Sequence, residues 1–359
     1  MELETAAARL VTVAFDGKSV TSELARLLDR GVGGVVLFAR NVGTAAEVLE
    51  LTRAIKRRAA RPLLVSIDQE GGPVARLRRG FTRVPAMRVV GRANDAELAR
   101  ELGALIGREL RAVGVDLDYA PVLDVDTNPD NPVIGERSLS ADPARVAELG
   151  IALAAGLVSA GVAACGKHFP GHGDTTTDSH HELPRLPHGL ERLERVELVP
   201  FRAASAAGIP ALMTAHVVFE ALDPNLPATM NRDVIHGFLR EKLGYDGVVV
   251  TDDLEMKAIA AHFPIAEVVT RGLLAGVDSF LCCHRESLAH EAIDEIVRSS
   301  EEGRVPASRV SEALSRVERL TDRFARGPDE PGELQLLDCD AHRALVARIE
   351  EHAAERSRP

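Results

Sequence analysis

The chain contains no tryptophan and only two tyrosines in 359 residues, and aromatic side chains make up 3% of it. It has no run of lysine or arginine longer than three residues, and 43 basic against 54 acidic side chains leave a formal charge of −11. Few stacking rings and an acidic balance exclude nucleic acid and an anionic membrane as its main partner. No stretch of about 18 uncharged apolar residues occurs, which excludes a transmembrane helix. Cysteine is scarce too. Cys165, Cys282, Cys283 and Cys339 show no CxxC spacing and no disulfide framework, so they read as core thiols in a reducing compartment. The N-terminus, Met1-Glu2-Leu3-Glu4, is acidic where a secretory leader is basic, and no apolar segment follows it. The expected location is the cytoplasm.

Against these absences, 45% of the residues are hydrophobic, enough for a substantial core. Short apolar runs recur near Val11–Phe15, Gly34–Ala39, Leu63–Asp68, Val115–Val122, Ala163–His168, Ala211–Val217, Gly247–Thr251 and Asp278–Cys282. Most are continuous rather than alternating, as parallel strands buried on both faces should be. Helical patterns separate them. Asp142-Pro143 caps one helix, whose apolar stripe Val146, Leu149, Leu153, Leu157 ends at Gly161. Others run from Asp95 to Gly114 and from Asn231 to Gly244. Eight strands alternating with helices predict a single-domain α/β fold, a (β/α)8 TIM barrel. An open doubly wound sheet is the alternative, but no GxGxxG turn follows an early strand. The barrel is expected over residues 1–325. Residues 326–359 then form a linker and a short, charged C-terminal helical tail, packed across the barrel bottom or against a partner.

Polar residues gather just beyond many strand ends: Arg40-Asn41, Asp68-Gln69-Glu70, Asp124, Lys167-His168, His216, Asp252-Asp253 and His284. In a barrel those ends ring one pocket, where active sites lie. The most unusual stretch runs from Lys167 to Pro184 and holds four of the chain's 12 histidines. Its glycines and prolines make it a loop. Two chemistries suit it beside a plain solvated loop. One is a metal site built from His168, His172, Asp174, Asp178 and His180. The other is proton transfer by His180, with Asp178 orienting the imidazole. Asp252 and Asp253 end a buried strand, and neighbours on a strand point to opposite sides. One carboxylate can therefore face the pocket while the other points away or caps the next helix. Asp68 precedes a tight glycine turn, and the 128–138 turn delivers Arg137, whose guanidinium can fork onto a carboxylate or sugar hydroxyls.

Together these segments resemble glycoside hydrolase family 3, in its β-N-acetylhexosaminidase branch, which removes GlcNAc during bacterial cell-wall (peptidoglycan) recycling. The resemblance runs from about Gly33 to Cys283. It is carried by DQEGGPVARL at Asp68–Leu77, APVLDV at Ala120–Val125, NPVIGERS at Asn131–Ser138, the Lys167–Pro184 stretch, MTAHVVF at Met213–Phe219 and TDDLEM at Thr251–Met256. It implies a retaining hydrolase with Asp252 as nucleophile and His180, partnered by Asp178, as acid/base. Asp68, Arg76, Arg137, Lys167 and His168 match positions that hold the sugar, and His216 is expected to line the pocket. The implied substrate is a small glycan, a GlcNAc-1,6-anhydroMurNAc peptide, with no metal or organic cofactor and all catalytic residues from the barrel. Leu139 stands where the family often has an aromatic residue, which should loosen packing around Arg137. A phosphorylase of the same family, a metal-dependent hydrolase and a non-catalytic sugar-binding barrel are the rival readings.

Overall fold

A computed structural model of the chain describes residues 2–177 and 182–356. Eight parallel strands close into a barrel: β1 Val11–Val13, β2 Gly34–Leu37, β3 Leu64–Ile67, β4 Leu117–Asp118, β5 Ala163–Phe169, β6 Ala211–Thr214, β7 Val248–Asp253 and β8 Ser279–Cys282. β8 returns to β1, pairing Phe280 with Val11 and Cys282 with Val13. Every expected strand is present, and the apolar runs are continuous because each strand is covered by the barrel interior on one face and by helices on the other. β4 is the shortest, and beyond Asp118 the chain stays joined to β5 by the Cys165 amide on Ala120 O at 2.9 Å and by a bridge between Val122 and Lys167.

The helices begin where their caps predict. The Asp142 carboxylate accepts the Ala144 amide at 2.9 Å, with Pro143 in the first turn, and Asp95 accepts Glu97 and Leu98 in the same way. These two caps open the helices Pro143–Ser159 and Ala96–Ala112, which pack closely on each other. Glycine allows the approach. A Cβ on Gly103 would stand 2.1 Å from the Leu153 carbonyl oxygen, and one on Gly156 equally close to that of Arg100.

The barrel base is held by two buried carboxylates at matching places. Asp116, just before β4, accepts the Val65 amide at 2.9 Å and Lys56 Nζ at 2.8 Å. Asp278, just before β8, accepts the Val249 amide at 3.0 Å and is flanked by Arg240, Arg309 and Arg316. Each ties its strand to the previous one and to an outer helix.

After the helix Ala307–Phe324 the chain crosses this base, where the Arg326 amide donates to Asp116 at 3.1 Å. It then forms a helix, Asp340–Arg356, that packs on Met87–Ala93 and on Ala96–Ala112 through Leu345, Val346, Ile349 and Ala353. The tail is thus docked on the barrel's flank. No described helix is long and apolar enough to cross a membrane.

Candidate active site

A cavity of about 570 Å³ opens at the C-terminal ends of the strands. Its wall includes Phe38 after β2, Asp68 and Glu70 after β3, Arg76, Arg137, Lys167 and His168 on β5, Asp252 and Asp253 at the end of β7, and His284 after β8. The strand-end polar residues do converge, as a closed barrel requires. Arg40 and Asn41 do not reach the wall. They brace the rim by donating to the Phe15 carbonyl, both at 3.0 Å.

One side of the cavity is a charge lattice. Lys167 Nζ sits 2.7 Å from Asp68 Oδ1 and 2.6 Å from Glu70 Oε1. Arg137 grips Glu70 with two parallel bonds of 2.9 and 2.8 Å, and Arg76 lies 3.3 Å from Asp68. Burial pushes the Glu70 carboxyl up, but Lys167 and Arg137 outweigh it and bring it to about 2. The same acids outweigh the burial of Lys167 and Arg137 and keep both charged. Arg137 is fixed by its two bonds to Glu70, and Leu139 is itself buried.

Backbone chemistry aims the lattice. Gln69 is buried between Asp68 and Glu70. Its amide donates to Asp118, its Nε2 donates to Leu77 O, and its Oε1 accepts the Arg76 and Leu77 amides. Gly71 and Gly72 turn the chain with φ of 101° and 54°, and a Cβ on Gly72 would stand 2.6 Å from Ala86 Cα. That turn carries Arg76 back beside Asp68.

On the next strand His168 is oriented from behind. Asp124 Oδ2 lies 2.7 Å from its Nδ1, which leaves the Nε2 edge for the cavity. Burial raises the Asp124 carboxyl, but His168 and His172 outweigh it, so it rests below its usual range. His172 Nδ1 meets Thr175 Oγ1 at 2.8 Å, and burial brings this histidine down to about 4, so it is neutral. Asp174 is taken by Thr127 and His188. Among the described residues no group of three or more His, Cys, Asp or Glu is placed to hold a metal ion.

Across the cavity, the two β7 carboxylates divide their work. Asp252 Oδ1 accepts the Asp253 amide at 2.8 Å and has no ion pair among the described residues. Burial raises its carboxyl, yet His168, His216, that amide and Lys167 together hold it below its usual range, as an anion. Asp253 instead binds the turn, accepting the Glu255 and Cys283 amides at 3.1 and 3.2 Å, with His284 3.3 Å away. Burial, reinforced by Asp252, pushes Asp253 up to about 6.

His216 is placed differently from expectation. It is buried beneath the Asp252–Asp253 turn, not on the wall, with Nδ1 2.8 Å from Thr229 Oγ1 and Nε2 3.0 Å from Asp253 O. Strand-end position indicated the rim, but both its nitrogens serve the protein. Asp178 and His180 lie outside the described residues. Glu70, Asp124 and His284 were named from sequence only as strand-end polar residues, without a role, and Phe38 was not named at all. The doublet of acids around Gln69 was the available signal for Glu70, and the acid of APVLDV for Asp124.

The family model described as "Glycosyl hydrolase family 3 N terminal domain" matches residues 2–320. A protein from Thiobacillus denitrificans named Beta-hexosaminidase is 44% identical over 277 residues, 76% of this chain and 77% of its own. A family 3 β-N-acetylglucosaminidase from Paenibacillus sp. superimposes with a TM-score of 0.93 and 43% identity, over 98% of this chain and 69% of that one. NagZ from Neisseria gonorrhoeae, solved in complex with N-trifluoroacetyl-D-glucosamine, does so with a TM-score of 0.82 and 33% identity, over 96% and 98%.

Proposed function

This chain belongs to glycosyl hydrolase family 3, and from that premise we propose that it is a retaining exo-β-N-acetylglucosaminidase. The observation that carries the reading is Asp252, an ionised carboxylate at the cavity wall with no ion pair among the described residues, facing a preformed lattice of acids and cations. A nucleophilic carboxylate must be charged and uncommitted, and its neighbours here favour the charge without capping it.

The sugar is held by the lattice: Asp68 accepts from its hydroxyls, and Arg76, Arg137, Lys167 and His168 donate to its oxygens. Asp252 attacks the anomeric carbon as the bond to the leaving oxygen breaks, and His180 delivers its proton to that oxygen. The product of this step is a glycosyl ester on Asp252. A water then attacks the same carbon, His180 takes its proton, and Asp252 is released, so configuration is retained overall. Asp178 orients the imidazole throughout. Retaining enzymes commonly pair two carboxyls. An imidazole in the second place removes repulsion between two anions when the nucleophile is charged.

The substrates we assign are muropeptides such as GlcNAc-1,6-anhydroMurNAc peptides, supported by the likeness to NagZ. The four free cysteines fit a cytoplasmic enzyme. No metal takes part in the steps above.

The test is hydrolysis of p-nitrophenyl β-N-acetylglucosaminide by wild type, Asp252→Ala and His180→Ala, each with and without chelator. Loss of about 10³-fold or more in both variants, with wild type indifferent to chelator, is the expected result. Loss on chelation would return the histidines to a metal site, and an inert wild type would overturn the assignment. Products analysed with and without phosphate separate hydrolysis from phosphorolysis.

A further inference from the structure

Asp118 ends β4 and has no exposed surface. Its neighbour Tyr119 lines the cavity, and side chains alternate along a strand, so Asp118 faces the dry layer between barrel and helices. Its Oδ1 accepts the Gln69 amide at 2.9 Å, and its Oδ2 has no hydrogen-bond partner among the described residues. A carboxylate buried with one oxygen unpaired is costly, whereas the neutral acid is tolerated.

The surrounding charges are committed elsewhere. Lys167 on β5 attracts Asp118, but its ammonium is already shared by Asp68 and Glu70, which both repel it. On the helix side, Glu109 binds Thr82 and His342, and Lys56 and Arg111 turn to Asp116. Cys165 and Tyr119 are kept neutral by burial.

We propose that Asp118 is a positioning residue held as the neutral acid, and that its ionisation undoes the sugar-binding lattice in alkaline solution. The proposal rests on reading the cavity as a sugar site. As an acid, Asp118 fixes the Gln69 amide, and with it the Asp68–Glu70 segment, without adding charge behind the lattice. As an anion it would repel Asp68 and Glu70 and draw Lys167 away from them. Burial pushes its carboxyl up to about 8, which places the transition within reach of ordinary assays.

Two variants of the full chain test this, Asp118→Asn and Asp118→Leu, from about pH 5 to about pH 9.5. Asparagine keeps an oxygen for the Gln69 amide and cannot ionise. Because the folded pKa lies above the unfolded one, wild-type stability declines between about pH 4 and about pH 8 and levels off above. The Tm of Asp118→Asn relative to wild type should therefore rise across that window. KM for p-nitrophenyl β-N-acetylglucosaminide should climb above about pH 8 in wild type and stay flat in Asp118→Asn, with kcat/KM near pH 6.5 within about threefold of wild type. Asp118→Leu, lacking the acceptor, should raise KM about tenfold or more at every pH. An Asp118→Asn that shares both the Tm trend and the KM rise of wild type overturns the proposal, even if the leucine variant does not fold. If no variant, nor wild type, cleaves the substrate, the sugar-site reading fails, while the Tm comparison still decides the state of Asp118.

Discussion

Asp124 holds His168 at both ends, its Oδ2 2.7 Å from the ring Nδ1 and its Oδ1 3.1 Å from the backbone amide. The Oδ1 atom also accepts the His172 amide at 2.7 Å, so one buried carboxylate fixes the start of the whole histidine-bearing loop. The ring bond sets the tautomer, with the proton on Nδ1 and the cavity edge of the ring defined by it. Asp124→Asn would present an amide where the imidazole needs an acceptor. We expect kcat/KM to fall about 10²-fold with the fold intact. Activity within twofold of wild type would show that His168 needs no such orientation.

The adjacent carboxylates of β7 predict unequal losses. Asp252 is ionised and has no ion pair among the described residues, so on the proposed role Asp252→Asn should lose about 10³-fold or more in kcat. Asp253 Oδ1 is spent on the Glu255 and Cys283 amides, and its Oδ2 faces His284. Asparagine retains an acceptor for them, and Asp253→Asn should lose only about tenfold. Steady-state kinetics on the two variants, with mass spectrometry for a trapped glycosyl ester on Asp252, checks the order. The reverse ranking would move the nucleophile to Asp253.

The eight strands and the ring of strand-end side chains were legible because both follow from local rules: continuous apolar runs mark parallel strands, and active sites sit at their C-terminal ends. What stayed hidden depends on distant partners. Glu70 owes its charge to Arg137, 67 positions away, and His168 owes its orientation to Asp124, 44 away. His216 was misplaced because strand-end position gives height along the barrel and not whether a ring points at the cavity or under the next turn. Asp116 and Asp278 are acids inside apolar runs, and only the assembled base shows the amides and cations that justify them.

Glu70 predicts how the protein fails in acid. Its pKa is about 2 in the fold against an ordinary 4.5. A depressed pKa contributes stability that is complete above about pH 4.5 and is lost as pH falls toward about 2. The shift corresponds to about 3 kcal/mol. Glu70→Gln should flatten that part of the stability profile. Glu70→Ala, which strands Lys167 and Arg137 without their shared anion, should cost about 3–5 kcal/mol at neutral pH. Urea unfolding at about pH 7 and about pH 3 reads both. An acid transition in Glu70→Gln as steep as in wild type would assign it to other carboxylates.

Glu109 joins the docked tail to the cavity wall. From the helix Ala96–Ala112 its Oε2 accepts the Thr82 amide at 3.0 Å, while its Oε1 accepts the Thr82 hydroxyl at 2.6 Å and the Asp338 amide at 2.8 Å and lies 3.0 Å from His342 Nδ1. Thr82 closes the segment that begins at Arg76, so the tail braces the chain presenting that arginine to the cavity. His342→Ala removes one donor and some packing, and should cost about 1–3 kcal/mol. Glu109→Ala strands partners on both sides and should cost more. It should also raise KM with little change in kcat, because the proposed role of Arg76 is to bind and not to react. If Glu109→Ala lowers Tm while KM stays at the wild-type value, the brace supports the fold alone and Arg76 is held by Gln69 and Asp68 without help from the tail.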